Sequence, residues 1–584
     1  MAIINKPDLQ AATGNRMNNV TAELVMRLLK LRKFNKLYDK LTAEQGVELI
    51  ESILKEMNVK CDFRDEDLKH IPKSGPFIVV ANHPFGLLDG IILLHLIRKV
   101  RPDFKVMANF LLHRVEPLKE FFIPVNPFAQ KGSVVSKKGI RDALQHLKDG
   151  YPLGIFPAGE VSTYQSMKGG VQDKAWEIPA IKLIKHAEVP VVPVYFDGKN
   201  SLLFHLLGKL HPSLRTARLP AEFLGKKNKK IKVRIGSPIS VKEQLELGDV
   251  YKFGRYLRAR VYVQGSALRK KQQHIRPNLA VLKRAKTIIA PIPKAILKQE
   301  VDKLRELGMC YHKHQDIEIY VAPYANIPNL ITEIGRLREI TFREVGEGTN
   351  LAVDLDRYDT KYEHLFLWHN KEQKVIGAYR LGRGKVLSEK KGVKGFYTNT
   401  LFEMNKKLLP ILEQSVELGR SFVIKEYQQH PMPLFLLWRG ILIFLLKNPE
   451  YKYLVGPVSI SNDYSTVSKS YIIAFIMKYF YNNELAKLVK PRTGYKVDFR
   501  HSDYEILLEK AKDILSFDKL ITEIEPNRFH IPPLLKQYIK LNAKIISFNM
   551  DPKFNNSLDG LILLDLKEVP EQTMEKLKSE IAKN

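Results

Sequence analysis

The segment VVANHPFGLLDG, residues 79–90, brings a histidine and an aspartate to one short, glycine-containing turn: His83 and, six positions on, Asp89. A carboxylate beside an imidazole fixes the ring's tautomer and supports its protonated form, so that the ring can take a proton from a hydroxyl. In a continuous helix six positions turn through about 600°, which leaves the two side chains ~120° out of phase. They cooperate only if the chain bends between them, and Gly86 permits that bend. Such a pair needs no serine nucleophile, because a substrate hydroxyl attacks directly. It also fits a strand-end histidine that caps a turn, so the pair alone does not decide between catalysis and structure.

A second set of charges recurs in the C-terminal half, in RLREITFREV, DLDRYD, GAYRL and ELGRSFV. Arg338, Asp356, Asp359, Arg380, Glu417 and Arg420 stand at element edges beside aromatic residues. Buried charges must be paired, so these six are candidates for one ion-pair network beneath a cleft; separate surface salt bridges are the competing reading.

The elements that carry both sets are legible as alternating patterns. From about 70 to 240, the apolar runs GPFIVVA, GYPLGIF and VPVVPVYF read as buried strands, with GIILLHLIRKV, KKGIRDALQHLKD and AWEIPAIKLIKHA as the helices between them. That alternation predicts an α/β layer with a mostly parallel sheet. A second α/β unit follows, with EIYVAP, HLFLWHN and VIGAYRLGRG as strands and residues 327–345 as a helix. Residues 1–60 form an N-terminal basic helical segment, core-facing or lying on a membrane surface. The expected divisions are a first domain over 61–270, a linker over 271–300 and a second domain over 301–510. Residues 511–584 are left unassigned.

Composition narrows the classes. Of the 584 residues 45% are hydrophobic and 27% charged, enough apolar material for sizeable cores. The two cysteines, Cys61 and Cys310, exclude a disulfide framework and a cysteine-rich zinc site. No histidine spacing predicts a metal site. The net charge of +31 must face an anionic surface, an acidic protein or nucleic acid, or else stay solvated. No zinc-finger spacing or aromatic RNA-binding signature is present, so no nucleic acid is expected. The N-terminus lacks a basic start followed by an apolar core, so no signal peptide is expected. The apolar windows 433–446 and 471–481 fall short of the ~18–20 residues that a spanning helix needs.

With these motifs in order, residues 60–240 resemble the glycerolipid acyltransferases, which transfer an acyl chain to a lysolipid hydroxyl. Asn82, His83 and Asp89 match the family's first motif. Phe156, Pro157, Gly159 and Ser162 loosely match its third, and Val189, Pro190 and Pro193 its fourth. The resemblance implies His83 as general base oriented by Asp89. It also implies a binding site formed by Asn82, Gly86, Arg114, Phe156, Pro157, Gly159, Glu160 and Ser162. Two departures stand out: five residues rather than four separate His83 from Asp89, and Val161 replaces the arginine of the third motif. The family's motif arginines hold the phosphate of lysophosphatidate, so the acceptor expected here lacks that phosphate.

Residues 300–510 resemble the acyl-homoserine-lactone synthases and, more closely, the ornithine N-acyltransferases, both GNAT-type. The shared pattern is Arg338 with Phe342, Asp356 with Asp359, Arg380, and Glu417 with Arg420; in such folds YLVGPVSIS (453–461) grips the donor's pantetheine arm. Glu417 or an acid of the 354–359 segment is the candidate base. The two halves together resemble the bifunctional ornithine lipid synthases. That resemblance implies N-acylation of ornithine with a 3-hydroxyacyl group from acyl carrier protein, then O-acylation of the lyso-lipid's 3-hydroxyl. It also implies a donor carried as acyl-phosphopantetheine, no tightly bound cofactor, and a cytoplasmic enzyme peripheral on the inner face of the cell membrane. Glycine as acceptor fits the same motifs, because both amino acids offer an α-amine and a carboxylate. A phospholipid acyltransferase with a degenerate second domain, or a non-catalytic membrane- or nucleic-acid-binding protein, are the remaining readings. The missing arginine makes one expectation measurable: a phosphate-free lysolipid is turned over and lysophosphatidate is not, and efficient use of lysophosphatidate alone contradicts it.

Overall fold

The computed structural model describes residues 26–27, 29–41, 46–109, 116–125, 134–166, 170–210, 212–268, 285–497, 499, 503–525 and 529–582. The chain forms two compact units, Met1–Lys270 with Phe499–Arg528, and Lys271–Asp498 with Phe529–Asn584.

The first unit is built on β1 (Lys60–Asp62), β2 (Ile78–Ala81), β3 (Lys105–Asn109), β4 (Phe122–Val125) and β5 (Leu153–Ile155). The hairpin β6 (Thr163–Ser166) and β7 (Gly170–Gln172) follows, then β8 (Val191–Asp197) and β9 (Lys230–Ile235). The sheet order is β1-β9-β8-β2-β5-β3-β4. Strands β8, β2, β5, β3 and β4 run parallel, and β9 alone is antiparallel to its neighbour β8. The β-branched run Ile78, Val79, Val80 occupies the sheet's centre and is buried on both faces, as a strand covered by helices on either side must be. The helix Leu87–Arg98 that follows it is apolar almost all round, and Leu88, Ile91, Ile92 and Leu96 are fully enclosed.

The second unit contains β10 (Cys310–His314), β11 (Ile317–Pro323), β12 (Glu363–His369), β13 (Lys374–Arg383), β14 (Phe402–Met404), β15 (Ser415–Val423), β16 (Tyr453–Ile460), β17 (Val489–Pro491), β18 (Lys544–Asp551) and β19 (Ser557–Asp565). Its eight-stranded sheet has the order β10-β11-β12-β13-β15-β16-β19-β18. All neighbours are antiparallel except β15 and β16. Strands β18 and β19, from the tail that the sequence left unassigned, complete this sheet. The apolar window 433–446 lies in the helix Pro431–Lys447, which buries Leu436, Ile441 and Phe444. No helix of the described residues is long and apolar enough to cross a membrane.

Two local features open the second sheet. The parallel pair β15–β16 is joined only from Ser415↔Tyr453 to Glu417↔Val455. At the next position Gly456 passes so close to β15 that a Cβ there would lie 2.3 Å from the Leu418 carbonyl oxygen; beyond it the two strands part. On its other side β15 carries a bulge against β13, where the register slips between Ala378↔Phe422 and Arg380↔Gly419. Arg420 sits in the extra position at φ +52°, a backbone conformation uncommon for a residue with a side chain. Gly456→Val should therefore lower the unfolding free energy by about 1–3 kcal/mol, the usual cost of overpacking, as measured by urea titration.

Candidate active sites

In the first unit β2 ends at Ala81 and the chain bends through Asn82–Gly86 into the helix Leu87–Arg98. Gly86 takes φ +89° and ψ −125° at the helix N-cap, and Asp89 occupies the third helical position. This is the bend that the six-residue spacing requires. His83 Nδ1 lies 3.0 Å from Asp89 Oδ2. The same oxygen accepts the backbone N–H groups of Phe85 at 2.9 Å and Gly86 at 3.0 Å. Asp89 is fully buried, whereas the His83 side chain keeps 20% of its surface open. Burial raises the Asp89 carboxyl, and the His83 ring and the two N–H groups offset this only in part.

The surrounding residues hold this loop. Asn82 pairs reciprocally with the backbone of Phe196 on β8, Nδ2 donating at 2.9 Å and Oδ1 accepting at 2.7 Å. The Phe156 ring stands 4.2 Å, centroid to centroid, from the His83 imidazole. Gly159 turns the strand end at φ +67°, and the Pro157 carbonyl accepts the Glu177 N–H at 2.9 Å. The Ser162 N–H donates to the His83 carbonyl at 2.9 Å. Glu160 points elsewhere and pairs with Arg215 at 2.6 Å and Lys174 at 3.4 Å. Arg114 lies outside the described residues. Val161 is buried, and with Leu219 it forms an apolar wall within 3.4 Å of where a Cβ on Gly86 would sit.

Asp173, which sequence reasoning missed, ties the loop from behind. Its Oδ1 accepts the Ser162 hydroxyl at 2.5 Å and the His83 N–H at 3.2 Å, and Oδ2 accepts the Trp176 indole N–H at 3.1 Å. Burial raises its carboxyl despite these donors. In the sequence it is one polar residue in GGVQDKAW, with no spacing that links it to His83.

In the second unit the expected charges converge. Arg338 Nη1 meets Asp359 Oδ1 at 3.0 Å, Arg380 Nη1 meets Asp356 Oδ1 at 2.9 Å, and Arg420 Nη2 lies 3.6 Å from Asp356 Oδ2. Asp354 joins them at 3.4 Å from both Arg338 Nε and Arg420 Nε. Three guanidinium groups thus face three carboxylates, as burial demands. Burial works against the Asp359 carboxylate, yet Arg338 and Arg380 outweigh it and hold the group below its ordinary range. Glu417 does not join the arginines as the sequence suggested. It accepts the Tyr362 hydroxyl, the Tyr397 N–H at 3.0 Å, the Thr398 N–H at 2.7 Å and the Thr398 hydroxyl at 2.6 Å. The rings of Tyr362 and Tyr397 then lie 5.0 and 5.1 Å from the Arg380 guanidinium, close enough for cation–π attraction.

Where β15 and β16 part, a cavity of about 180 Å³ opens. Leu418, Gly419, Arg420 and Ser421 line one side and Pro457, Val458 and Ser459 the other, with Phe342 and Tyr397 contributing. Three acids reach it that the sequence did not single out: Glu347, Asp551 and Asp559. Burial, with Asp463 and Asp551 nearby, pushes the Glu347 carboxyl up to about 7. Asp551 is raised by burial, and Asp559 well above its ordinary value by burial, although the Ser459 hydroxyl donates to it at 2.7 Å. Among the described residues no group of three acids, histidines or cysteines could hold a metal ion.

Comparison with known proteins follows this division. The profile of the family described as acyltransferase matches residues 21–270, and that of the acetyltransferase (GNAT) domain matches 337–438. A glycine N(alpha)-acyltransferase of Bacteroides thetaiotaomicron is 32% identical over 299 residues, 49% of this chain and 87% of that protein. The chain belongs to the family of that enzyme. It is an acyltransferase with two α/β acyltransferase domains, the first with a mostly parallel sheet and the second GNAT-like. A lyso-glycine lipid O-acyltransferase of Phocaeicola vulgatus is 26% identical over 205 residues, 33% of this chain and 69% of that protein. A solved 1-acyl-sn-glycerophosphate acyltransferase of Thermotoga maritima is 18% identical and covers 41% of this chain and 93% of that one, with a TM-score of 0.25, too low to weigh.

The relatives overturn the ornithine expectation. They are glycine and lyso-glycine lipid acyltransferases, and the resemblance to ornithine lipid synthases is corrected accordingly. The physical reason is visible in the second unit. Arg338 and Arg380, which carried that resemblance, are each 1% exposed and bound to carboxylates of their own chain. Residues paired in this way within their own chain do not by themselves distinguish one amino-acid acceptor from another. Arg380→Met should accordingly cost about 3–5 kcal/mol of stability in chemical denaturation, because it takes one partner from the buried Asp359 carboxylate and from Asp356. Asp89→Asn should lower O-acyl transfer by about 10²–10⁴-fold, the usual worth of general-base catalysis, in a steady-state assay with a lyso-lipid acceptor.

Proposed function

We propose that this chain makes a diacylated glycine lipid by two successive acyl transfers. The observation that carries the reading is similarity, within one chain, to both a glycine N(alpha)-acyltransferase and a lyso-glycine lipid O-acyltransferase. The second unit acts first. The α-amine of glycine attacks the thioester carbonyl of a 3-hydroxyacyl donor carried on phosphopantetheine, an N–C bond forms, and the thiol leaves. The gap between β15 and β16 suits the pantetheine arm, because the ladder between the two strands ends at Glu417↔Val455 and residues of both strands line the cavity beyond it. Positioning supplies much of the rate. Glu347 takes the amine proton: it lines the cavity and, held near 7, is poised to accept a proton at neutral pH.

The first unit then acts on the product, whose 3-hydroxyl is the new nucleophile. His83 Nε2 removes the hydroxyl proton as the oxygen attacks a second acyl thioester, the ester C–O bond forms, the C–S bond breaks and the leaving thiol takes the proton, while Asp89 orients the ring through Nδ1. Asn82, Phe156, Ser162 and Asp173 hold the loop that presents the histidine. The buried Val161, standing where the phosphate-binding relatives have arginine, suits an acceptor without phosphate. Acyl carrier protein is the proposed donor in both steps, and the inner face of the cell membrane is the proposed site of work.

Two measurements test this. Given labelled glycine and acyl donor, His83→Ala should accumulate monoacylated glycine and form no diacylated product; unchanged diacylation would show that His83 is not the base. The N-acylation rate of the intact chain should rise with pH through about 7, because only the ionised Glu347 carboxylate accepts a proton. Glu347→Gln should remove that limb of the profile, and a profile unchanged by the substitution excludes Glu347 as the acceptor.

A further inference from the structure

Between β8 and β9 the chain forms two helices, Leu202–Leu210 and Pro212–Leu224. In the first, Phe204 and His205 are buried, which accounts for its inward side. Its outward side should then be polar, yet Leu202, Leu206 and Leu210, spaced four apart along one face, are 66%, 49% and 77% exposed. Leu203 on the same helix and Leu214 on the second are also exposed. Single exposed leucines are ordinary, but five on one helical pair form an unpartnered apolar surface.

The charge around this surface is predominantly positive. Residues 197–230 hold eight lysines and arginines against two acids, and one of those acids, Glu222, is buried and bonded to Ser201 and Arg218. The second helix runs directly into the basic turn GKKNKK, whose Lys227, Lys229 and Lys230 are exposed. The pair also touches the catalytic loop. Leu219 packs at Gly86, Arg215 pairs with Glu160, and the Lys226 ammonium stands 4.8 Å from the Phe85 ring centroid.

We infer that the helical pair 202–224 and the basic turn after it are the surface by which the first unit seats on an anionic lipid bilayer, bringing the His83 loop to the lyso-lipid hydroxyl. This rests on the reading that the first unit acylates a lipid. Leucines entering the headgroup boundary and lysines remaining at the phosphates are the two contributions that hold a helix in that plane. An acidic carrier protein would satisfy the lysines, but it gives no reason for leucines spaced along a whole helix face.

The test is flotation of the full chain with vesicles of phosphatidylglycerol and phosphatidylethanolamine, with pure phosphatidylcholine as the neutral comparison. The intact chain should bind the anionic vesicles and release in high salt. Leu202→Ser, Leu206→Ser and Leu210→Ser combined should weaken binding by about tenfold or more, and Lys227→Glu with Lys229→Glu should remove its salt sensitivity. Leu245→Ser, at another exposed leucine of the same unit, should change nothing. The leucine variant should still acylate lyso-lipid dispersed in detergent, which shows that it folds. Vesicle binding by the leucine variant equal to that of the intact chain overturns the inference. So does retained vesicle binding with loss of transfer from a carrier-bound donor, which assigns the surface to the carrier. If the intact chain forms no glycine lipid yet binds vesicles through these leucines, the functional reading fails and the docking surface stands.

Discussion

A carboxylate removed from water must be neutralised or saturated with hydrogen bonds, and both units of this chain are arranged around that requirement. Asp89 meets it with an imidazole and two backbone N–H groups at the start of a helix. Asp173 meets it with a hydroxyl, an indole and the backbone of His83 itself. Asp354, Asp356 and Asp359 meet it with three guanidinium groups. Asp173 and the three aspartates of the second unit draw their partners from separate elements, so satisfying the charge also fixes how those elements lie against one another, whereas Asp89 closes the bend within its own segment.

The two units use the solution for different ends. In the first, buried Asp89 meets the His83 imidazole and buried Asp173 holds its backbone, while the ring's outer side stays open. The strand β2 and the bend at Gly86 matter because they bring that imidazole to the surface while Asp89 stays inside. In the second, the ion-pair network is a framework, and the proposed donor site is the cavity beside it, where β15 and β16 separate. Arg420 belongs to both: it pairs with Asp354 and Asp356 and lines the cavity. The acids that remain unmatched by arginine, Glu347, Asp551 and Asp559, are those that burial raises. Groups of that kind suit proton transfer rather than scaffolding.

Much of this was legible in the sequence wherever local pattern determines structure. The runs GPFIVVA and VPVVPVYF form strands where expected, because β-branched residues bounded by glycine and proline have few alternatives. The six-residue spacing of His83 and Asp89 required a bend at Gly86, and the bend is there. The arginine–aspartate set converges because unpaired charges could not be buried at all. What escaped notice depends on tertiary neighbours. Asp173 gains its role only from Ser162 and His83 across the loop. Asp551 and Asp559 sit on β18 and β19, in a tail whose pairing with β16 no local signal announces. Glu417 looked like one more member of the ion-pair network, yet its hydrogen bonds run to Tyr362, Tyr397 and Thr398. The acceptor was illegible for a different reason: the motifs that carried the resemblance are largely buried ion pairs, and glycine and ornithine offer the same α-amine and carboxylate.

The central claim is that one chain carries out both acylations that turn glycine into a diacylated lipid. Its most direct test is mass spectrometry of the lipids of a host that makes no aminolipids, expressing this chain and fed isotopically labelled glycine. The account predicts a new lipid with a labelled glycine head group, one amide-linked and one ester-linked acyl chain. A lipid profile without any labelled aminolipid, while the chain is expressed and folded, would contradict it.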